Sequence, residues 1–246
     1  MKRSTQIVSK LGFILSAVAF SAVVGPQLLA QSGISNPPAM QMADLTARYQ
    51  TEYDRFRQER LNKRRVDGRE LSLGPAESKA LSRLEKALND KNYQKADQLA
   101  GEAEAVVKGS DARYVLSTLQ LQLAEGNGNT AMAAKATDAL LAGSSVPAGA
   151  MPYLLMNQGA YAVASGDLPK AEAAYGKLAQ LSPKNPEAFL MLAQTKLDLK
   201  KHREALELIN RAVTVRKDAG QDVPQTWTSS ARKIEAYLAS SGNVSR

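Results

Sequence analysis

A spacing of thirty-four residues constrains this chain more than any other feature: the stretch from Pro152 to Asn185 is answered by Pro186 to Ala219. Leu155 pairs with Phe189, Gly159 with Ala193, Leu168 with His202, Ala171 with Ala205, Tyr175 with Ile209 and Ala179 with Val213. Self-similarity at this period marks stacked helical hairpins. One such hairpin is amphipathic and cannot bury its apolar face alone, so neighbours stack into a continuous core and leave a curved surface suited to binding.

The turn inside each hairpin extends the pattern towards the N-terminus. Asn92-Tyr93-Gln94-Lys95-Ala96, Gly166-Asp167-Leu168-Pro169-Lys170-Ala171 and Lys201-His202-Arg203-Glu204-Ala205 all place a small alanine three residues after a bulky side chain, and Gly128-Asn129-Thr130-Ala131-Met132-Ala133 is a weaker version. Two helices approach closely only where neither side chain is long, which is the steric reason for those alanines. The spacing predicts four units, at 77–110, 111–149, 152–185 and 186–219, the second stretched near Gly126 to Gly128 and in the Gly143 to Ala150 loop. Asp111 is expected to cap its helix, as are Asp167 and Asn185, the last with Pro186 in the first turn where no amide hydrogen is missed. From about Val223 to Ser240, Trp227, Ala231, Ile234 and Leu238 recur at helical steps and predict a capping helix that seals the last hairpin from water. No strand is predicted.

At these residues the chain resembles the tetratricopeptide repeat family, from Glu77 to Ala219. Gly159, Gly166, Ala171, Tyr175 and Pro183 carry the resemblance in the third unit, and Phe189, Leu192, Ala205 and Ala212 in the fourth. The resemblance implies an all-α, right-handed superhelix of antiparallel helix pairs whose inner surface holds a peptide or partner helix. In that family the first helix of each pair lines the groove. Carried over, this turns inward Leu81 and Glu85; Val115, Leu119, Gln122 and Leu123; Tyr153, Met156, Ala160 and Val163; and Leu190, Gln194 and Leu197. The candidate binding groove, Val115, Leu119, Gln122, Tyr153, Met156, Ala160, Leu190, Gln194 and Leu197, is mostly apolar and suits an amphipathic or hydrophobic segment of an unidentified protein partner. Leu81 and Glu85 stand where a clamp for an acidic peptide terminus would need basic and amide groups.

The first thirty residues look like an address. Lys2, Arg3 and Lys10 give a basic start, and Leu11 to Val24 is an uncharged apolar run of fourteen residues, within the range of a signal-peptide core and short of the roughly 20 that a membrane-spanning helix needs. Gly25-Pro26 and Leu28-Leu29-Ala30 place the cleavage after Ala30, and an uncleaved membrane anchor is the alternative. The chain contains no cysteine, which excludes disulfides and thiol catalysis and favours a bacterial periplasm over eukaryotic secretion. Asn243-Val244-Ser245 matches a glycosylation acceptor, a pattern common by chance.

Removing the three basic residues of the leader lowers the formal charge from +8 to +5. Much of the excess is concentrated between Arg48 and Arg65, where seven basic residues face three acidic ones. After a lead-in at 31–43 without periodicity, Leu45, Tyr49, Tyr53 and Phe56 fall on one side of a predicted helix over 44–66, with Arg55, Arg57, Arg60, Arg64 and Arg65 largely on the other. That basic helix has three readings: it packs on the array, it is solvated charge, or it holds the protein peripherally at anionic lipid. The near-neutral repeats offer no basic face for nucleic acid. His202, the only histidine, stands at a packing position and lacks the further ligands a zinc ion requires. Neither a nucleophile with its base nor a glycine-rich phosphate loop is present, so no catalytic residue, metal or cofactor is assigned. The sequence therefore predicts an exported, periplasmic, non-enzymatic interaction scaffold, with a peripheral envelope protein held at anionic lipid as the alternative.

Overall fold

The computed structural model describes residues 65–66 and 69–243. Nine α-helices follow one another among them: α1 Pro75–Asn89, α2 Tyr93–Val106, α3 Ser110–Asn127, α4 Thr130–Ala142, α5 Met151–Ser165, α6 Leu168–Leu181, α7 Pro186–Asp198, α8 His202–Asp218 and α9 Gln225–Asn243. The first eight pair as four hairpins, the second helix of each hairpin packs on the first helix of the next, and α9 packs on α8. This is an all-α solenoid of stacked helix pairs. The leader, its cleavage site, the lead-in and the basic segment as far as Arg64 lie outside the described residues.

Two features of the entry to the array depart from expectation. Arg65 and Val66, predicted as the end of the basic helix, are extended and form β1, which pairs antiparallel with β2 at Arg69–Glu70 in the register Arg65 to Glu70 and Val66 to Arg69. β-branched Val66 and nearby Gly68 are weak helix formers, and the ladder satisfies backbone groups that a fraying helix end would leave open. Asp111, expected as a cap, sits within the first turn of α3 instead. It is 5% exposed and accepts from the Ser72 backbone N–H at 2.9 Å and from Ser145 Oγ at 3.0 Å. The carboxylate thus joins the entry strand to the loop after α4, an acid held by donors rather than a helix cap.

The other turns follow their local chemistry. Asn92, Asn129 and Asp167 each accept a backbone N–H three residues on, from Lys95, Met132 and Lys170, and Asn185 accepts from Glu187. Gly128 and Gly166 end α3 and α5 at φ values of 65° and 80°, left-handed conformations that glycine adopts without a Cβ penalty. The stretched second unit is explained by α3, which runs 18 residues against 15 for α5, and by a 3-10 turn at Ala148–Ala150.

Close helix approach governs the core. Ala96, Ala133, Ala171 and Ala205, the alanines of the turn signature, are at most 3% exposed. Tyr175 of α6 is 2% exposed and lies over Gly159 of α5, so a Cβ on Gly159 would come within 2.4 Å of its ring. Tyr93 of α2 sits in the same way on Gly126 of α3, at 2.3 Å. At the far end Trp227 and Ile234 of α9 are buried with Leu190 and Leu197 of α7 and Ile209 of α8, and the Arg216 guanidinium lies 5.2 Å from the Trp227 ring centroid, a cation–π contact. His202 packs its ring against Tyr237 with centroids 4.5 Å apart.

Polar contacts lock successive hairpins. Glu77 in the first turn of α1 accepts from the Gly74 N–H at 2.8 Å and, across to the linker before α3, from Lys108 and Gly109 at 2.8 and 3.0 Å. Those three donors hold its carboxyl below the ordinary glutamate range, Gly109 contributing most. Between the third and fourth hairpins Glu172 of α6 is held low by Lys196 of α7 and by Lys201. Lys196 also contacts Glu204 of α8. Burial of Lys196 opposes its charge, but the bonds to Glu172 and Glu204 outweigh that and leave its pKa raised.

Gly159→Ala is expected to lower stability by about 1–3 kcal/mol, since Tyr175 has no space to yield. Gly176→Ala, whose new methyl meets nothing within 4 Å, should leave the thermal midpoint unchanged or raise it. Thermal unfolding followed by circular dichroism compares the two, and equal midpoints would contradict the tight Gly159–Tyr175 contact. A carboxyl whose pKa is depressed by folding stabilises the native state above its unfolded value, and that contribution is lost as pH falls through the folded value. Glu77→Gln should therefore lower the midpoint at neutral pH and flatten its fall below about pH 4.3, the ordinary glutamate value. Parallel acid profiles for the two proteins would contradict the role of Glu77.

Candidate functional site

On three of the first helices a side chain reaches a second helix. Arg83 of α1 bonds Glu102 of α2 at 2.8 Å, Gln158 of α5 bonds Asp138 of α4 at 2.7 Å, and Lys196 of α7 bonds Glu172 of α6 at 2.7 Å. Arg83 thus points to its own hairpin partner, and Gln158 and Lys196 point to the second helix of the preceding hairpin. At about 100° per residue, side chains two positions away lie roughly 200° around the helix, on the opposite side. That side carries Leu81 and Glu85 on α1, Met156 and Ala160 on α5, and Gln194 and Asp198 on α7. On α3, Glu125 accepts from the Tyr153 hydroxyl of α5 at 2.7 Å, which links the same faces of two neighbouring first helices.

Six of the nine predicted groove residues are closed to solvent. Leu119 is fully buried, and Val115, Tyr153, Met156, Leu190 and Leu197 are each no more than 9% exposed. Val115 and Leu119 join Leu81, Leu84 and Leu116 in one apolar cluster. Tyr153 and Met156 belong to the central cluster with Leu121, Leu154 and Tyr175, and Leu190 and Leu197 belong to the one sealed by Trp227. The expectation of an open apolar groove is thus corrected at these six positions. A first helix packs on the second helices of two hairpins, so a side chain turned away from one of them still finds apolar contacts.

Gln122, Ala160 and Gln194 remain half-buried at the surface. On the same helices are side chains not predicted for the groove: Glu125 on α3, Tyr161 on α5 and Asp198 on α7. Gln194 Nε2 donates to Asp198 Oδ1 at 3.1 Å. Burial pushes the Asp198 carboxyl above its usual range, and the bond from Gln194 partly reverses this. Burial likewise raises the Tyr161 phenol, with the nearby Glu125 charge adding to it. The signal for both acids was available, because Glu125 follows Gln122 by three residues and Asp198 follows Gln194 by four, spacings that share a helix face. The accessible face is therefore acidic and amide-bearing over a buried apolar floor.

Among the described residues no group of three or more His, Asp or Glu could hold a metal ion, and no helix is long and apolar enough to cross a membrane. Leu11 to Val24 and Arg55, Arg57, Arg60 and Arg64 of the predicted basic helix lie outside the described residues.

Four stacked hairpins, each packed on the next, define an α-helical repeat array. The family model described as tetratricopeptide repeat matches residues 162–223, from the end of α5 through α8. Over those residues, a minority of the chain, the sequence is similar to that family, whose repeats support a protein–protein interaction scaffold. No curated protein and no solved structure matches the chain.

Proposed function

We propose that the chain is an exported, periplasmic scaffold that binds a helix or extended segment of a partner protein along the inner face of α1, α3, α5 and α7. The observation that carries this reading is the composition of that face, with Glu85, Glu125 and Asp198 among Gln122, Ala160 and Gln194, above the buried Tyr153 and Met156. Such a surface favours a basic amphipathic segment: its cations meet the carboxylates while its apolar side chains lie over Ala160 and the edges of the floor. Export rests on the leader, with its basic start, apolar core and small residue at Ala30.

A photo-cross-linking residue at Ala160 or Gln194 should capture a discrete partner in cells, whereas the same residue at Lys177, exposed on the second helix α6, should not. Equal capture from all three positions, or capture from none, would remove the inner face as the binding surface. N-terminal sequencing of the protein recovered from cells tests export, with Gln31 as the expected first residue.

A second reading is favoured by the excess of basic residues between Arg48 and Arg65: peripheral attachment to anionic lipid through that segment. Each basic side chain near a negative membrane contributes about 1 kcal/mol. This reading expects salt-sensitive flotation with anionic liposomes that is lost when Arg55, Arg57, Arg60, Arg64 and Arg65 are replaced by Gln. Flotation unchanged by those replacements would remove it.

A further inference from the structure

We propose that Glu125, Tyr153 and Tyr161 form a subsite for an arginine side chain of the partner. The proposal rests on the reading of the inner face as a binding surface, and it names the side chain that this part of the face selects.

The first observation is where Glu125 stands. It is exposed in the last turn of α3, at the negative end of the helix dipole, where a cation is favoured and an acid is not. α1, α7 and α8 each place basic residues in that turn: Lys86, Lys196, and Arg216 with Lys217. α3 has none there. The carboxylate and the helix end are both negative, so a cation seated beside Glu125 is drawn by the two together.

The second is that this carboxylate is held in place. The Tyr153 hydroxyl donates to Glu125 Oε1 at 2.7 Å, and the Tyr153 ring is packed in the central apolar cluster. A carboxylate accepts from several donors, so the bond to Tyr153 orients it without exhausting it. An acceptor oriented beforehand loses less freedom when a ligand arrives.

The third is the aromatic ring nearby. Tyr161, two turns beyond Tyr153 on α5, is half-buried, and Glu125 lies close enough for its charge to add to the effect of burial on the phenol. Both influences keep the phenol protonated. The subsite thus presents one negative charge beside one neutral, flat π face.

An ammonium and a guanidinium both meet the charge, but only the guanidinium meets the shape. It is planar, so it stacks on a ring while its fork reaches a carboxylate, and its weaker hydration lowers the cost of entering a half-buried place. Gln122, one turn before Glu125 on the same side of α3, adds an amide oxygen to the acceptors for the remaining N–H groups. A lysine brings a strongly hydrated point charge with no plane to stack. The arrangement therefore selects arginine over lysine.

The test titrates the full chain with two dye-labelled amphipathic peptides of Leu and Gln, identical except that one carries arginine where the other carries lysine, and follows binding by fluorescence anisotropy. The arginine peptide is expected to bind roughly fivefold tighter, the order of a cation–π contact. Tyr161→Leu should remove that preference by weakening the arginine peptide alone, whereas Tyr161→Phe should keep it. Glu125→Gln, which retains an acceptor for the Tyr153 hydroxyl, should weaken the arginine peptide severalfold in a chain whose circular dichroism is unchanged. Asp198→Asn, on α7, should weaken both peptides by the same factor. Equal affinity for the two peptides would overturn the proposal. So would binding of neither, or a preference that survives both Tyr161→Leu and Glu125→Gln. The two readings fail separately: a partner cross-linked from Ala160 with no preference for the arginine peptide removes the subsite alone. An arginine preference with no partner captured from Ala160 or Gln194 removes the partner reading alone.

Discussion

Everything in this fold depends on how closely its helices approach one another. Ala96, Ala133, Ala171 and Ala205 are buried where each hairpin closes, and Tyr175 and Tyr93 fill the space that Gly159 and Gly126 leave open. Larger residues at those glycines would separate the helices and loosen the contacts around them, because packed interiors tolerate little extra volume. Tight pairing also narrows each hairpin enough for its second helix to reach the first helix of the next. The solenoid follows from a local steric rule applied four times.

Polar side chains then set the order of the stack. Glu77 ties the start of α1 to the linker before α3, Asp111 ties the entry strand to the loop after α4, and the Glu172, Lys196, Lys201 and Glu204 group joins the third hairpin to the fourth. Exposed ion pairs contribute little singly. Lys196, with a side chain only 13% exposed between two glutamates, is the best shielded of this group. Arg83, Gln158 and Lys196 have a further effect, since by reaching to a neighbouring second helix they leave the opposite side of α1, α5 and α7 to Glu85, Ala160 and Asp198. Structural bonding on one side of a helix thus determines the chemistry offered on the other.

Much of this was legible in the residues. The caps at Asp167 and Asn185 are local, depending on side chains two or three positions away, and a local rule reads directly from sequence; the caps at Asn92 and Asn129 follow the same rule but were not named beforehand. The helical period from Trp227 to Leu238 likewise identified α9, whose Trp227 and Ile234 seal the last hairpin. Asp111 was misread because its donors, Ser72 and Ser145, lie 39 and 34 residues away, beyond the reach of any capping pattern. Arg65 and Val66 were misread because the helical pattern before them was carried one step too far, into residues that pair with Arg69 and Glu70.

The sequence by itself determined the unit: its thirty-four-residue period, its amphipathic helices, its small contact residues and the concentration of basic charge before the array. Only the tertiary structure decided which side of each first helix remains accessible. Periodicity tells that Val115, Leu119, Tyr153, Met156, Leu190 and Leu197 avoid water, and it is silent on what covers them. A helix within an array has several apolar neighbours, so an inward position can be floor or surface depending on how the units sit together. Leu190 and Leu197 make the point: they are buried with Trp227 and Ile234, residues of a helix that begins more than twenty-five residues further along the chain.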